Sequence, residues 1–247
     1  MDDPRRIASV FVELADTLVT DFDVVDFMTL LADRCVELLH ADQAGVLLAD
    51  SDGRLHSVAS SDDSAQLLDL FELQNQEGPC FDCFHSGEAV INQAMDDPAG
   101  PWPLFAAEAT RLGFSVAHAI PMRLRGDVIG AVNVFSAGSD QIPAEDAALG
   151  QALADVATIG LLQERTIREA LRLSEQLQAA LTSRVVIEQA KGMLAERLDV
   201  SMDVAFGLLR GYARNENLRL SLVAEAILEG DISADRLDPG GTDPTAR

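Results

Sequence analysis

Two groups of residues in this chain carry side chains that can do chemistry. The first begins in "SRVVIEQAKGML" (183–194). Read as a helix, this stretch stacks Arg184, Glu188 and Lys191 at spacings of 4 and 3 beside an apolar face of Ile187, Ala190, Leu194 and Leu198. Gln189 lies among them, and Arg210, Arg214, Arg219 and the sole tyrosine, Tyr212, follow. Guanidinium and ammonium groups neutralise phosphates, a glutamine amide can read a base edge, and an aromatic ring can stack on a base. Glu188 can pair with either basic neighbour, as on an ordinary solvated face. Gly192 argues for more, because an interior helical glycine costs about 1 kcal/mol against alanine. Its presence implies close approach by a second helix or by a nucleic-acid backbone. The second group is "PCFDCFH": Cys80 and Cys83 form a C-x-x-C, with His85 two residues beyond. Such thiols can form a reversible disulfide in a mobile loop, or supply part of a metal site. A closed zinc site needs four ligands, so Cys35 or His118 would have to complete it through the fold. Spacing alone assigns no metal, and two small, partly buried loop residues are the plainer reading of the pair. Trp102 reads as packing under the adjacent loop, and His40, His56 and His118 as ordinary surface or core residues.

The balance of charge shapes what these groups can meet. The 247 residues carry 18 basic and 41 acidic side chains, a net −23. Residues 1–160 hold 7 basic and 27 acidic of these, residues 161–230 hold 9 and 10, and the remainder 2 and 4. The acidic excess is N-terminal, so the near-neutral C-terminal part can present a local basic face while the rest suppresses non-specific attraction to phosphate. No apolar run is long enough to span a bilayer, and "MDDPRRIASV" has no secretory h-region. Three cysteines cannot all pair, which suits a reducing compartment. A cytoplasmic protein is expected.

The elements that must position these groups follow from periodicity. Residues 8–40 show helical spacing through Val12, Ala15, Leu18, Val19, Phe27, Leu30, Leu31, Val36 and Leu39. "AGVLLADSDGRLHSVAS" reads as a hairpin about Asp52-Gly53, "LLDLFELQ" as a helix, and "DDPAGPWP" as irregular. "SVAHAIPMRLRGDVIGAVNVFS" reads as a second hairpin. This order predicts an α+β domain with an antiparallel sheet over 1–142. From Pro143 strong helix formers take over. A 4-and-3 spacing through Leu149, Leu153, Val156, Gly160, Gln163, Ile167, Ala170, Ser174, Leu177 and Leu181 has seven apolar positions of ten, a coiled-coil-like seam over 143–181. Its first turns are expected to cover the sheet and its later turns to pair with a second chain. A helix of ~29 residues extends ~43 Å, too far for one small domain to cover. Three helical segments follow over 182–230, starting at about Thr182, Ser201 and Ser221, with Val204, Ala205, Leu208, Leu209 and Tyr212 expected in their core. Residues 231–247 read as a disordered tail.

The run "LTSRVVIEQAKGMLAERLDVSMDVAFGLLRGYARNENLRLSLVAEAI" resembles the ANTAR domain, with "SRVVIEQAKG", "AF..LR" and "LRLSLVAEAI" in order. The resemblance implies a three-helix RNA-binding module of bacterial transcription antiterminators that binds paired hairpin loops in nascent RNA. It places Arg184, Gln189, Lys191, Gly192, Arg210 and Tyr212 on the RNA face; Arg214 and Arg219 are added from charge alone. "LADTLVTDFDVVDFMTLLADRCVELLHADQAGVLLAD", "EGPCFDC" and "AIPMRLRGDVIGAVNVFS" resemble a GAF domain. Together the two are similar to the actinobacterial GAF-plus-ANTAR regulators over about residues 8–230. The GAF resemblance implies a central antiparallel sheet with helices on one side and a ligand-sized cavity on the other, and names no cofactor or effector. The reading is a non-enzymatic sensory regulator: a homodimer through the linker helix, with tandem RNA hairpins as partner and a small-molecule or redox signal in the GAF domain. Two alternatives stand beside it, a thiol enzyme of the methionine sulfoxide reductase kind and a dimeric scaffold that never meets RNA.

Overall fold

The computed structural model describes residues 4–17, 23–97, 99–138 and 141–237. Leu18 and Val19 of the first periodic segment, and the tail after Leu237, lie outside them. The chain divides into two compact units, Met1–Ile167 and Arg168–Arg247.

The first unit is built on a five-stranded antiparallel sheet: β1 (Gln43–Ala49), β2 (Leu55–Ser60), β3 (Val90–Ala94), β4 (Val116–Leu124) and β5 (Asp127–Ser136), in the order β2-β1-β5-β4-β3. Both expected hairpins are present, β1–β2 and β4–β5. In the first, Gly53 takes φ 76° and the Asp50 carboxylate accepts from the Asp52 and Arg54 amides at 2.8 and 3.0 Å. Five helices precede or interleave the strands: α1 (Pro4–Thr17), α2 (Val24–Leu39), α3 (Asp63–Asn75), α4 (Pro79–Ser86) and α5 (Pro103–Arg111). Asp23 caps α2 by accepting from the Val25 and Asp26 amides.

Helices cover both faces of the sheet, not one. Alternate residues explain why: β5 is buried continuously from Gly130 to Ser136, so neither face can be left to solvent. Val132, Val134, Ile120 and Met122 join a core with Phe27, Leu31, Leu38, Leu153 and Leu161. On the other face, Phe135 and Ala117 pack with Leu68, Trp102 and Phe105, while Ala131, Ala119 and Leu47 pack with Cys80 and Cys83. The long helix α6 (Ala144–Leu198) lies against the first of these faces through Leu153, Ala154, Ala157 and Leu161. A Cβ at Gly150 would meet Ile120 Cδ1 at 2.6 Å, so any larger residue would require the Ile120 side chain to shift.

No break occurs at residues 181–182, where a new helix was expected. Nothing in that stretch can stop α6, which has no proline from Ala144 to Leu198 and good helix formers on both sides of residues 181–182. Every residue from Arg165 to Thr182 is exposed, including Ile167, Leu171, Leu173, Leu177 and Leu181 at 57–60%.

The second unit packs the end of α6 with α7 (Met202–Asn215) and α8 (Leu220–Glu229). Ser201 caps α7, its hydroxyl accepting from the Val204 amide. Ala190, Leu194, Ala205, Leu209, Ala213, Val223, Ala224 and Ile227 form the core, flanked by Ile187, Leu198, Leu208 and Tyr212. Val204, expected inside, is half exposed, because Ala205 and Leu209 take the inward positions. The expected tail is ordered at its start. Ala234–Arg236 form a 3₁₀ turn whose Ala234, with Ile232 and Leu237, adds to the core, an apolar set short enough to escape a composition-based reading.

Candidate functional site

In the second unit, α7 presents Asp203, Gly207, Arg210, Gly211 and Arg214 at helical spacing on its exposed side. Arg210 and Arg214 lie one turn apart, and an added Cβ at Gly207 or Gly211 would meet nothing within 4 Å. The outer side of α6 carries Val185, Gln189, Gly192 and Glu196 at spacings of 4, 3 and 4, with Arg184 exposed beside them. Arg219 is exposed at the N-cap position of α8, where its side chain makes no capping bond.

Two residues expected on the RNA face are also tied into the bundle. Lys191 is engaged: its Nζ donates to Glu188 Oε1 and Oε2 at 3.0 and 2.9 Å and stands 5.3 Å from the Phe206 ring centroid. It ties α6 to α7 instead of projecting freely, since a lysine's long stem packs on an aromatic face while its head stays paired. Tyr212 is partly buried against the bundle core, so its ring is at once a packing group and an accessible edge. At Gly192 no part of the chain approaches closely; a Cβ there would meet open space. An approaching helix within the described residues therefore does not account for this glycine.

In the first unit the C-x-x-C lies in a helix, not a mobile loop. Pro79 occupies the first turn of α4, where its missing N–H costs nothing. Cys80 and Cys83 face the sheet and are fully buried as free thiols, while His85 is exposed and its Nδ1 donates to Phe81 O at 2.7 Å. The three do not converge, because positions 80 and 83 share a helical side that position 85 does not. Burial pushes the Cys83 thiol up to about 12 and raises Cys80 as well, the opposite of an activated thiolate. Burial likewise raises Cys35, remote on α2, to about 12. Among the described residues no three His, Cys, Asp or Glu side chains group as a metal site.

Residues that the sequence reading passed over make a fully buried polar cluster in this unit. Asp69 and Glu72 on α3 are fully buried under the sheet, and Asn133 Nδ2 on β5 donates to both, to Asp69 Oδ1 at 2.9 Å and to Glu72 Oε2 at 2.7 Å. The second Glu72 oxygen accepts from the Phe81 amide at 2.8 Å, capping α4 across space because its own N-cap, Gly78, has no side chain to do so. Burial raises Glu72 to about 7 and holds Asp69 well above the usual carboxylate range. On the opposite face, buried His118 accepts the Asn92 amide at Nδ1 (2.9 Å), and Asn92 exchanges two bonds with the Ile142 backbone just ahead of α6. Burial drops His118 to about 4, so it is neutral. Trp102 is buried as expected, and its Nε1 donates to Asp82 Oδ2 at 2.8 Å. Two of the surface clefts on this unit lie beside α4 or α5. One, of about 350 Å³, lies between β3 and α5 against Trp102; the other, of about 340 Å³, is lined by Arg54, Leu55, His56, Leu73, Phe81 and His85.

These two units match known families. The chain belongs to the GAF domain family, whose profile matches residues 23–161, and the ANTAR domain matches residues 175–228. A GAF sensory domain joined to an ANTAR RNA-binding domain defines a signal-responsive regulator of the antiterminator class. Among solved structures, the GAF domain of a phosphoenolpyruvate-protein phosphotransferase from Coxiella burnetii is similar at 18% identity and TM-score 0.51, covering 68% of this chain and 99% of that one. The free methionine-R-sulfoxide reductase of Neisseria meningitidis, solved with its substrate, is similar at 18% identity and TM-score 0.51, covering 68% of this chain and 95% of that one. At these identities the likeness concerns the fold. Comparison with curated proteins returns no match. No helix among the described residues is long and apolar enough to cross a membrane.

Proposed function

We propose that this protein is a homodimeric antiterminator that binds paired hairpin loops in nascent RNA under control of a signal received by its GAF domain. The observation that carries the reading is the exposed α7 stripe within the ANTAR match, where Arg210 and Arg214 stand beside two glycines in open space. Arginines free of bulky neighbours can reach phosphates, and the bare helix allows a sugar–phosphate backbone close by. Arg184, Gln189, Gly192 and Arg219 extend this surface, Tyr212 offers an edge for stacking, and Lys191 holds α6 and α7 in register. The exposed apolar residues between Ile167 and Leu181, in the linker over 143–181, pair with the same residues of a second copy. Two RNA-binding units are then displayed together, and each raises the effective concentration of the other's hairpin. The effector is a small molecule, and the two clefts beside α4 and α5 are the first places to look for it.

The thiol-enzyme reading loses its nucleophile, since both cysteines of the pair are buried with raised pKa values. Gel mobility shift with a tandem-hairpin RNA tests the proposal against the scaffold reading. Arg210→Ala and Arg214→Ala should each weaken binding and each lower the slope of log K against log salt by about 1. Absence of RNA binding by the full chain, or slopes unchanged in both variants, overturns it.

A further inference from the structure

The buried Asp69–Glu72–Asn133 cluster has a feature that RNA binding does not use. Two of its atoms, Asp69 Oδ2 and Asn133 Oδ1, are buried without a hydrogen-bond partner. Both belong to the two groups already joined by the 2.9 Å bond from Asn133 Nδ2 to Asp69 Oδ1. Two acceptors left over from one acid–amide contact are completed by one proton, which turns the carboxyl into a donor. Among the described residues no side-chain or backbone donor bonds to either atom. Asp69 Oδ2 sits where a Cβ on Gly45 of β1 would be, at 2.0 Å, and Glu72 fills the corresponding place over Gly78 at 2.5 Å, so both carboxyls are seated against bare backbone.

The charges facing the cluster are acidic. Glu72 acts on Asp69, and Asp82 of α4 acts on Glu72; Cys80 and Cys83 of α4 are neutral thiols. Gly45 and Leu47 of β1, Ala131 and Phe135 of β5, and Ala117 and Ala119 of β4 bring no charge. Arg123 at the far end of β4 acts on Cys83 and donates to Gly87 O instead. Glu77, between α3 and α4, accepts from the Leu104 and Phe105 amides of α5.

We propose that Asp69 is carried as a neutral acid whose proton bonds Oδ2 to Asn133 Oδ1, and that this proton fastens α3, and through Glu72 the start of α4, to the sheet. Loss of the proton as pH rises leaves two carboxylates on one neutral amide with no cation to offset them, and α3 and α4 loosen. The GAF unit is thereby a pH-responsive element, independent of what its clefts bind.

Infrared spectroscopy of the full chain with ¹³C-labelled aspartate tests the first half. A buried, protonated aspartic acid should absorb at neutral pH in the wild type and be missing from Asp69→Asn. Hydrogen exchange tests the second half. Protection factors of the Cys80 and Phe81 amides, corrected for intrinsic rates, should fall by up to roughly tenfold per pH unit once the acid ionises. In Asp69→Asn the amide donates permanently where the acid did, so only the pH dependence that Glu72 brings should remain there, and the part that follows the aspartic acid band should be gone. A wild type with no protonated buried aspartate at neutral pH overturns the proposal, whether or not the variant folds. So does α4 protection that holds steady while the acid band disappears.

Discussion

Gly192→Ala should raise stability and lower RNA affinity at once. The glycine lies six residues before the end of α6, in the helix interior, where a Cβ would meet nothing within 4 Å. With no steric cost, the gain is the helix-propensity difference, about 0.8–1.0 kcal/mol. For a unit the size of Arg168–Arg247, 1 kcal/mol shifts Tm by about 4–8 °C. Calorimetry of the full chain, following the transition of this unit, reads that shift directly. RNA titration of the same variant reads the other sign, because a methyl group now stands where the proposed backbone approach occurs. A fall in Tm would refute the open space around this residue. A rise in Tm with unaltered RNA affinity would refute close approach by RNA and leave the glycine without a role.

Three further outcomes follow from the packing. Gly45→Ala should destabilise the first unit by about 1–3 kcal/mol, measured by urea unfolding, because its Cβ would fall 2.0 Å from Asp69 Oδ2 and the buried carboxyl would have to move. Leu171→Glu with Leu177→Glu should convert the proposed dimer to monomer in sedimentation experiments without changing the helical circular dichroism of the folded units, since both residues are exposed in the single chain. The pH profile should contain two opposed slopes. Neutral His118, lowered to about 4 by burial, stabilises above its unfolded pKa near 6.5 and loses that stability as pH falls toward 4. Glu72, raised to about 7, stabilises below 4.5 and loses that contribution as pH rises toward 7. Each of these two shifts corresponds to about 3 kcal/mol, and buried Asp69, also raised, adds to the slope of Glu72, so His118 offsets only part of the loss in the wild type. His118→Gln, which keeps an acceptor for the Asn92 amide, should therefore show stability falling steadily as pH rises from 4.5 to 7; a flat profile in that variant would refute the opposition.

How much of this was legible beforehand divides along the physics of each signal. Both hairpins were readable because turn residues and β-branched runs coincide, and the C-terminal bundle because its apolar residues keep a helical period. The short helices α4 and α5 were missed for one reason: each opens with a proline, Pro79 and Pro103, taken as a breaker although the first turn of a helix tolerates it. Once α4 is a helix, the two cysteines turn inward together and His85 outward, and the apparent chemistry of the C-x-x-C disappears. The opposite error hid Asp69 and Glu72. Two acids in "LLDLFELQ" look like the solvated side of an amphipathic helix, and nothing local says that Asn133, more than sixty residues later, will meet them. That pairing depends on β5 lying beside β1 with its odd-numbered residues toward α3, a register that only the assembled sheet provides. The Arg stripe on α7 needed no such assembly: helical spacing alone separates Arg210 and Arg214 from Ala205 and Leu209. Surface chemistry carried on one helix can be read from sequence, whereas buried chemistry shared between distant elements cannot, and in this protein the proposed RNA-facing groups are of the first kind and the proposed proton-holding groups of the second.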